Sequence, residues 1–324
     1  MKHILTLIFL LFLLPPTIPA IKLENRMPES VWQAEISLKI VPSYSRAFNG
    51  YGEEAPLQNH MLWDRGWFDL VEGELKREEK RLELKLAYGL TEDWVVEAMI
   101  PMVQKIQSSS LKFDAGTPDQ QKVISNLSSE ELNGLGDINI QFGKDLSYST
   151  TWHNRGGFTT RLPTGNKGMR RGISSNSIGE GHGSVGAFIH VTWYPLVHGI
   201  RNCFRMEGKN ELTGERETLE GEKVYYSAGH RADLYYSWSI ERQNVFAGTE
   251  LHYFQQSESK LPTGESNASF LKEINFEFGY GNLSELEQKP LSYPWQVRIG
   301  YTRPFAGQNT PLIHRWELSS TFLF

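Results

Sequence analysis

The fold of this chain is decided by its last nine residues, Trp316-Glu317-Leu318-Ser319-Ser320-Thr321-Phe322-Leu323-Phe324. Counted back from Phe324, every second residue is apolar except for one serine, and the residues between them are polar except for Leu323. Because successive side chains of a β-strand point to opposite sides, one face suits hydrocarbon and the other suits water. Such a strand predicts a closed membrane β-barrel, whose last strand pairs with its first. We predict that the apolar face is the barrel-assembly signal, formed by Trp316, Leu318, Phe322 and Phe324.

The same alternation recurs along the chain. In residues 31–40, for example, Trp32, Ile36 and Leu38 alternate with Glu35 and Lys39. The other predicted strands are 81–88, 94–102, 138–142, 158–163, 185–193, 203–211, 232–240, 245–253, 274–280 and 295–301. Segment 158–163 alternates poorly and is placed by its position alone. Together with the C-terminal strand, these segments predict an all-β fold, an antiparallel transmembrane β-barrel of about twelve strands. One hairpin fewer or more would give ten or fourteen.

The connections between these strands also alternate. Most of those after even-numbered strands are short, namely 91–93, 145–151, 195–200 and 241–244, while 282–293 is longer. Those after odd-numbered strands are long and polar, namely 41–74, 104–134, 164–183, 212–224, 255–267 and 306–313. A single amphipathic strand would suit a soluble β-sandwich equally well. Short turns that alternate with long loops favour the outer-membrane arrangement of periplasmic turns and extracellular loops.

The N-terminal segment has the composition of a secretory signal peptide. Lys2 and His3 precede an apolar run over residues 4–14, which prolines interrupt before Ala20. About 11 apolar residues are too few to span the membrane as a helix, so we predict a cleaved signal at 1–20 and a barrel over 21–324. These features predict export to the outer membrane of a Gram-negative bacterium. The single cysteine excludes an intrachain disulfide framework, and the net charge of -5 argues against a nucleic-acid partner.

If the apolar faces meet lipid, the opposite faces line the interior and form the candidate solute path. Its predicted lining residues are Glu35, Lys39, Arg81, Glu83, Lys85, Glu97, Arg161, Arg205, Glu207, Lys209, Asp233, Glu250, Glu277, Arg298 and Glu317, with Glu211, Glu273 and Arg315 beside them. Both signs of charge are present, whereas a strongly ion-selective pore would show rings of one sign. The mixture predicts either an interior cross-linked by ion pairs or a narrow wet channel for neutral or weakly polar solutes.

Two patterns could indicate catalysis. His182 and Ser184 fall on one strand face, as a nucleophile and its base would. They lie in a glycine-rich stretch, with parity towards the interior and no third orienting residue. The repeated Leu-Pro-Thr-Gly at 162–165 and 261–264 is interpreted as a strand leaving the sheet. The histidines show no metal-ligand spacing and are interpreted as isolated. We therefore predict no enzyme activity, no metal and no cofactor.

A resemblance adds to this reading. Ala87-Tyr88-Gly89-Leu90-Thr91-Glu92-Asp93-Trp94 leads to Ile100-Pro101, and Gly134-Leu135-Gly136-Asp137 follows. Arg161-Leu162-Pro163-Thr164-Gly165 and a glycine-rich stretch over 179–186 complete the set. In these motifs the chain resembles the outer-membrane proteins grouped with the meta-pathway of phenol degradation, and an uncharacterised sister group of barrels. The resemblance implies an outer-membrane barrel and uptake of apolar or aromatic compounds; it supplies no catalytic residues.

Three functions follow, in order of preference. The first is a passive uptake channel for small solutes. The second is a structural or interaction barrel with a plugged interior, in which loops 41–74 and 104–134 present or insert Trp63, Trp67 and Phe68. The third is a lipid-modifying enzyme that uses Ser184 and His182. The predicted partners are outer-membrane lipid, the barrel-assembly machinery and a small-molecule solute, without nucleic acid.

Overall fold

The computed structural model of the protein describes residues 31–62, 70–113, 116–149, 151–165, 178–179, 182–195, 199–217, 223–227, 229–242, 244–257, 259–261, 264–266, 268–281 and 295–323. The predicted signal segment 1–20, the loop aromatics Trp63, Trp67 and Phe68, and the terminal Phe324 lie outside these residues. So does the longer connection predicted at 282–293.

Twelve long strands form one closed antiparallel barrel, which confirms the predicted fold. They are β1 (Trp32–Tyr44), β2 (Leu75–Gly89), β3 (Trp94–Ser109), β4 (Ile138–Tyr148), β5 (Trp152–Leu162), β6 (Ser184–Trp193), β7 (Ile200–Glu211), β8 (His230–Arg242), β9 (Val245–Gln256), β10 (Ser269–Gly281), β11 (Trp295–Gln308) and β12 (Arg315–Leu323). Each strand pairs with its neighbours in sequence. The barrel closes where β1 pairs with β12, with Ser37 opposite Ser319 and Lys39 opposite Glu317.

The alternation of the sequence appears as two faces of the barrel wall. The outer face exposes apolar side chains, among them Ile36 at 46%, Leu318 at 49% and Phe278 at 50%. Three aromatic pairs lie at the end with the short turns: Trp32 with Tyr88, Trp152 with Trp193, and Tyr280 with Trp295. Aromatic girdles of this kind mark the membrane interface of outer-membrane barrels. The outer face is therefore built to meet lipid.

Strand β5 is longer than predicted. It begins at Trp152 instead of residue 158, and Gly156 and Gly157 interrupt its alternation. The backbone of β4 passes so close that a Cβ atom on Gly157 would lie 1.9 Å from the carbonyl oxygen of Phe142. Only glycine fits this approach, so the apolar pattern is lost where the strand is most tightly packed.

The strands also extend further towards the long-loop end than predicted. β2 begins at Leu75 instead of residue 81. The prediction missed this part because the run Lys76-Arg77-Glu78-Glu79-Lys80 is charged throughout and shows no alternation of apolar and polar residues. The additional short strands are Arg46–Phe48, Glu54–Pro56, Glu130–Leu135, Thr213–Glu217, Lys223–Ser227, Ser259–Leu261, Gly264–Ser266 and Thr310–Pro311. Strand Glu130–Leu135 pairs with the half of β3 that is nearest to the long loops, and it continues the wall beyond the end of β4.

Within the described residues, two helices lie in the long loops, α1 (Leu57–Met61) and α2 (Pro118–Asn126). Helix α2 begins with a capping box, in which Thr117 and Gln120 each bond to the other's backbone N–H. Among the residues that the structure describes, no helix is long and apolar enough to cross a membrane.

These loops pack into a small apolar core, named here the loop cap. Its buried residues are Ala47, Leu57, Leu62, Val71, Leu75, Val123, Ile124 and Leu127, with Tyr44, Leu111 and Phe113 half-buried against them. Leu75 has the same parity on β2 as the inward-facing Glu79 and Arg81. The loop cap therefore lies against the inner face of β2 at the long-loop end.

Candidate functional site: the charged inner wall

The strand register places the predicted lining residues on the inner face of the barrel. Residues paired across neighbouring strands share a face, as Glu35 does with Lys85, Arg205 with His190, and Glu207 with Asp233. The residues of this face are Glu35, Lys39, Arg81, Glu83, Lys85, Glu97, Arg161, Arg205, Glu207, Lys209, Asp233, Glu250, Glu277, Arg298 and Glu317. Their role as a solute path is taken up below as a proposal.

The first cluster of the inner wall joins β1 and β2. Lys39 Nζ lies 2.6 Å from Glu83 Oε2. The Ser37 hydroxyl donates to the same carboxylate at 3.5 Å. Further up β2, Arg81 Nη2 lies 2.8 Å from Glu79 Oε1. These contacts compensate the cost of placing charges away from bulk water.

A second cluster spans β2 to β5. Lys85 Nζ lies 2.9 Å from Glu97 Oε2. Arg155 Nε donates to Asp145 Oδ1 at 2.7 Å, and His153 Nε2 lies 2.9 Å from the same oxygen. The sequence prediction missed these last three residues, because it began β5 at residue 158 and assigned Asp145 to a turn. If β5 had been predicted to begin at Trp152, the alternation of its residues would have placed His153 and Arg155 on the inner face.

A third group of ion pairs has one part on β7 and another part that joins β11 to β1. Glu207 accepts from Arg205 Nη2 at 2.9 Å and from Lys209 Nζ at 2.7 Å. On the other side of the barrel, Arg298 Nη2 donates to Glu35 Oε2 at 3.3 Å, across the closing strand β12. The Arg298–Glu35 bond cross-links β11 to β1, whereas the bonds of Glu207 stay within β7.

A fourth cluster joins β8, β9 and β10, and it corrects the prediction that the histidines are isolated. His252 lies 3.1 Å from both Asp233 Oδ1 and Glu273 Oε2. Arg231 Nε donates to Asp233 Oδ2 at 2.8 Å. The ring of Tyr235 stacks on His252 with a centroid distance of 4.2 Å and an interplanar angle of 1°. Residues two apart on one strand and directly opposite on the next produce this arrangement, so it depends on the register.

Charges from opposite sides of the barrel also approach each other. Strands β2 and β7 are five strands apart in a barrel of twelve, yet Lys85 and Arg205 are close enough to interact electrostatically. Glu97 of β3 lies within the same range of Arg205. Charges of both walls therefore act on this level of the interior, named here the narrow level.

The pair with a catalytic pattern is placed inside another ion cluster. His182 Nε2 lies 3.0 Å from Glu211 Oε2, and Arg161 also bonds to Glu211. His182 and Ser184 are 3% and 1% exposed. A buried, ion-paired histidine is poorly placed to activate a nucleophile for a lipid substrate. Within the described part of the chain, no group of three or more His, Cys, Asp or Glu side chains is arranged to hold a metal ion.

Three of the sequence motifs that carried the resemblance, 134–137, 161–165 and the glycine-rich stretch with Gly179, meet at one point of the wall. The Thr164 hydroxyl donates to the Gly136 carbonyl at 2.9 Å and accepts from the Ile138 N–H at 3.1 Å. The Gly165 N–H donates to Asp137 Oδ1 at 2.9 Å. A Cβ atom on Gly179 would lie 2.5 Å from the same oxygen. The motifs therefore join the top of β4 to the loop after β5, which explains their composition.

A lipid-facing outer surface, a closed antiparallel sheet and a charged interior define an outer-membrane β-barrel. Among solved structures, the chain is similar to an outer membrane channel from Pseudomonas putida F1, with a TM-score of 0.67 and 12% identity over 96% of this chain and 100% of that chain. Two others score lower. They are the NanC porin (TM-score 0.40, 11% identity, 89% and 98% covered) and the CymD monoaromatic hydrocarbon channel (0.39, 9%, 92% and 88%).

At this level of identity, the likeness to the Pseudomonas putida channel shows the fold. It confirms the class of protein to which the sequence resemblance pointed, the outer-membrane β-barrel. No protein-family model matches the sequence, and the search of curated proteins finds no significant match.

Proposed function

We propose that the protein is a passive channel for the uptake of small solutes across the outer membrane. The observation that carries this proposal is the accessibility of charged side chains that point into the barrel. The Lys85 side chain is 40% accessible and that of Arg81 is 32% accessible, although both lie on the inner wall. A filled interior would bury such groups, because side chains that pack a small barrel exclude water. Water-accessible charges inside a closed barrel favour a conduit.

The resemblance implies apolar or aromatic solutes, and the inner wall offers contacts for them. The rings of Tyr235 and His252, which stack on each other, lie half-buried on the inner face of β8 and β9. Aromatic faces bind planar rings through offset stacking. We include small aromatic compounds within the proposed solute range on this basis.

Conductance of the refolded protein in planar bilayers tests the channel proposal. Discrete current steps in potassium chloride, and swelling of proteoliposomes in a small neutral sugar, are the expected results. Protein that is heat-modifiable on gels, and therefore folded, but gives neither steps nor swelling would overturn the proposal.

The plugged barrel is a second candidate, and the loop cap is the observation that favours it. An apolar core against the inner face of β2 narrows the long-loop end. Replacing Leu57 by Asp should open the cap, because it buries a charge among apolar side chains. A closed wild-type barrel that conducts only after Leu57→Asp would favour a plug, whereas equal conductance of both proteins would favour a channel that bypasses the cap.

Export and assembly form a further part of the proposal. We infer a cleaved signal at residues 1–20, insertion into a Gram-negative outer membrane, and recognition of the last strand by the barrel-assembly machinery. Trp316, Leu318 and Phe322 are 42–49% exposed on the outer face of β12, where such recognition could occur. N-terminal sequencing of the membrane-inserted protein checks the cleavage site. Deletion of Phe324 should impair insertion, and normal insertion would count against this assignment.

We also propose that the protein is not an enzyme. The burial of His182 and Ser184 supports this proposal. Lipid hydrolysis by membranes that contain the protein, if lost in Ser184→Ala, would overturn it.

A further inference from the structure

The accessible charge of the inner wall differs from its formal charge. Acidic and basic residues are nearly balanced in number, but their exposure is not. Side-chain accessibility is 24% for Lys39 against 7% for Glu83, and 29% for Arg205 against 5% for Glu207. In the cluster of β8, it is 31% for Arg231 against 1% for its partner Asp233. In these pairs the cation faces the lumen and the carboxylate is covered.

Side-chain length accounts for the difference. Lysine and arginine keep their charged ends in water while their aliphatic stems cover the surface below. A carboxylate two residues along the same strand, or on the neighbouring strand, is shorter, so it lies at the base of the cation that bonds to it. The pair at the narrow level follows the same rule, with Lys85 at 40% and Glu97 at 20%. Two pairs whose groups are 3.9 Å apart depart from it, Lys39–Glu317 at 24% and 30% and Arg155–Glu97 at 9% and 20%. In Arg298–Glu35 the two side chains are nearly equal, at 22% and 20%.

The narrow level strengthens the asymmetry. Lys85 and Arg205 act electrostatically on each other from nearly opposite walls, so both cations lie at the same level of the lumen. Glu97 and Glu35 act at the same level, but their side chains are less accessible, at 20% each, than those of Lys85 and Arg205, at 40% and 29%. The more accessible charge there is therefore positive, and between low-dielectric walls it concentrates anions. Arg205 also lies over the ring of Phe188, 5.2 Å from its centroid, and this contact helps hold the guanidinium in place.

From these observations we infer that the channel prefers anions, and that its charged solutes are small organic carboxylates. Lys85 and Arg205 are the residues that set this preference at the narrow level. Carboxylates suit the site because guanidinium and ammonium groups both donate hydrogen bonds to them. The inference rests on the proposed channel function and specifies its solutes.

The test is the reversal potential of single channels in a potassium chloride gradient. The wild-type protein should pass chloride more readily than potassium. One unit charge at about 4 Å in water attracts an anion by about 1 kcal/mol and repels a cation by as much, so Lys85→Gln or Arg205→Gln should lower the chloride-to-potassium permeability ratio by up to about thirtyfold each. Lys85→Arg and Arg205→Lys, which keep the charge, should retain the wild-type ratio. Lys144→Gln is the matched control, since Lys144 lies over Trp94 on the outer face.

Swelling of proteoliposomes extends the test to organic solutes. Sodium benzoate should permeate faster than benzylammonium chloride in the wild-type protein, and this difference should shrink in the Lys85→Gln/Arg205→Gln double variant. Preference for potassium, or a ratio unchanged by both neutral variants in folded protein, would overturn the inference and leave the channel intact. A wild-type barrel without conductance would instead remove the channel proposal on which the inference rests.

Discussion

The barrel wall and the loop cap distribute polarity in opposite ways. In the wall, apolar side chains such as Ile36 and Phe278 face outwards, and ion-paired side chains such as Lys39 and Glu83 face inwards. In the loop cap, Leu57 and Leu62 are fully buried, as in the core of a soluble domain. One chain therefore builds two regions for two solvents. The wall is stabilised from outside by lipid and from inside by ion pairs, whereas the cap is stabilised by the hydrophobic effect in water.

The same kind of substitution should therefore have different consequences in the wall and in the loop cap. A charge is tolerated where the wall faces the lumen and is costly where the cap is buried. Loss of apolar volume is costly in the cap, but it matters less on a face that contacts fluid lipid. The following predictions test this contrast, and the expected effect decreases from each one to the next.

The largest effect is expected in the loop cap. Leu57→Ala removes a fully buried side chain and should destabilise the cap by about 2–5 kcal/mol, because a cavity adds to the lost transfer free energy. Hydrogen exchange of the α2 amides measures the local opening free energy. Leu70→Ala, at a residue that is 65% exposed, is the control and should leave exchange unchanged. Equal exchange in the two variants would show that the cap is not a cooperative core.

The next effect concerns the lipid-facing side of the wall. Ile36→Arg places a cation in the apolar belt of β1 and should cost about 2–4 kcal/mol if residue 36 lies near the bilayer midplane. Lys39→Arg on the inner face of the same strand is the control, with the same new residue but no new charge. Denaturant unfolding of both variants in lipid vesicles compares them. A cost for Lys39→Arg equal to that for Ile36→Arg would contradict the assignment of the two faces.

A smaller effect is expected from the ion pairs of the inner wall. Glu83→Gln removes the covered carboxylate that pairs with Lys39 at 2.6 Å and with Arg81 at 3.7 Å, and it should cost about 1–3 kcal/mol. Glu317→Gln should cost less than about 1 kcal/mol, because Glu317 is more exposed and lies 3.9 Å from Lys39. Unfolding in vesicles measures both values. The reverse order would mean that coverage of the carboxylate does not determine its contribution.

The smallest effect lies at the long-loop rim, outside the membrane-spanning part of the wall. Hydrogen bonds from Gln104 and Asn133 lower the pKa of Glu131. A lowered carboxyl pKa contributes stability at pH values above the unfolded pKa, and this contribution is lost as the pH falls through the folded pKa. Gln104→Ala should raise the pKa of Glu131 towards its ordinary value, which a carboxyl NMR titration detects. An unchanged titration midpoint would show that the Gln104 bond does not persist in solution.

Much of the wall was predictable from the sequence. Trp32, Ile36 and Leu38 alternate with Glu35 and Lys39, and the structure places each set on one face of β1. Prediction failed where alternation is absent for a local reason. The charged run at the start of β2 and the paired glycines of β5 carry no apolar pattern, so both strands were predicted too short.

The residue pattern alone was enough to predict the class of fold, the parity of the inner wall and the ends at which turns and loops lie. These follow from side-chain alternation with a period of two residues, which is local and readable along the chain. Three features became visible only in the folded barrel. They are the set of loop residues that forms the cap, the contact of His252 with both Asp233 and Glu273, and the covering of carboxylates by their paired cations. These depend on strand register and on the reach of side chains across the barrel, and neither is encoded in any single segment.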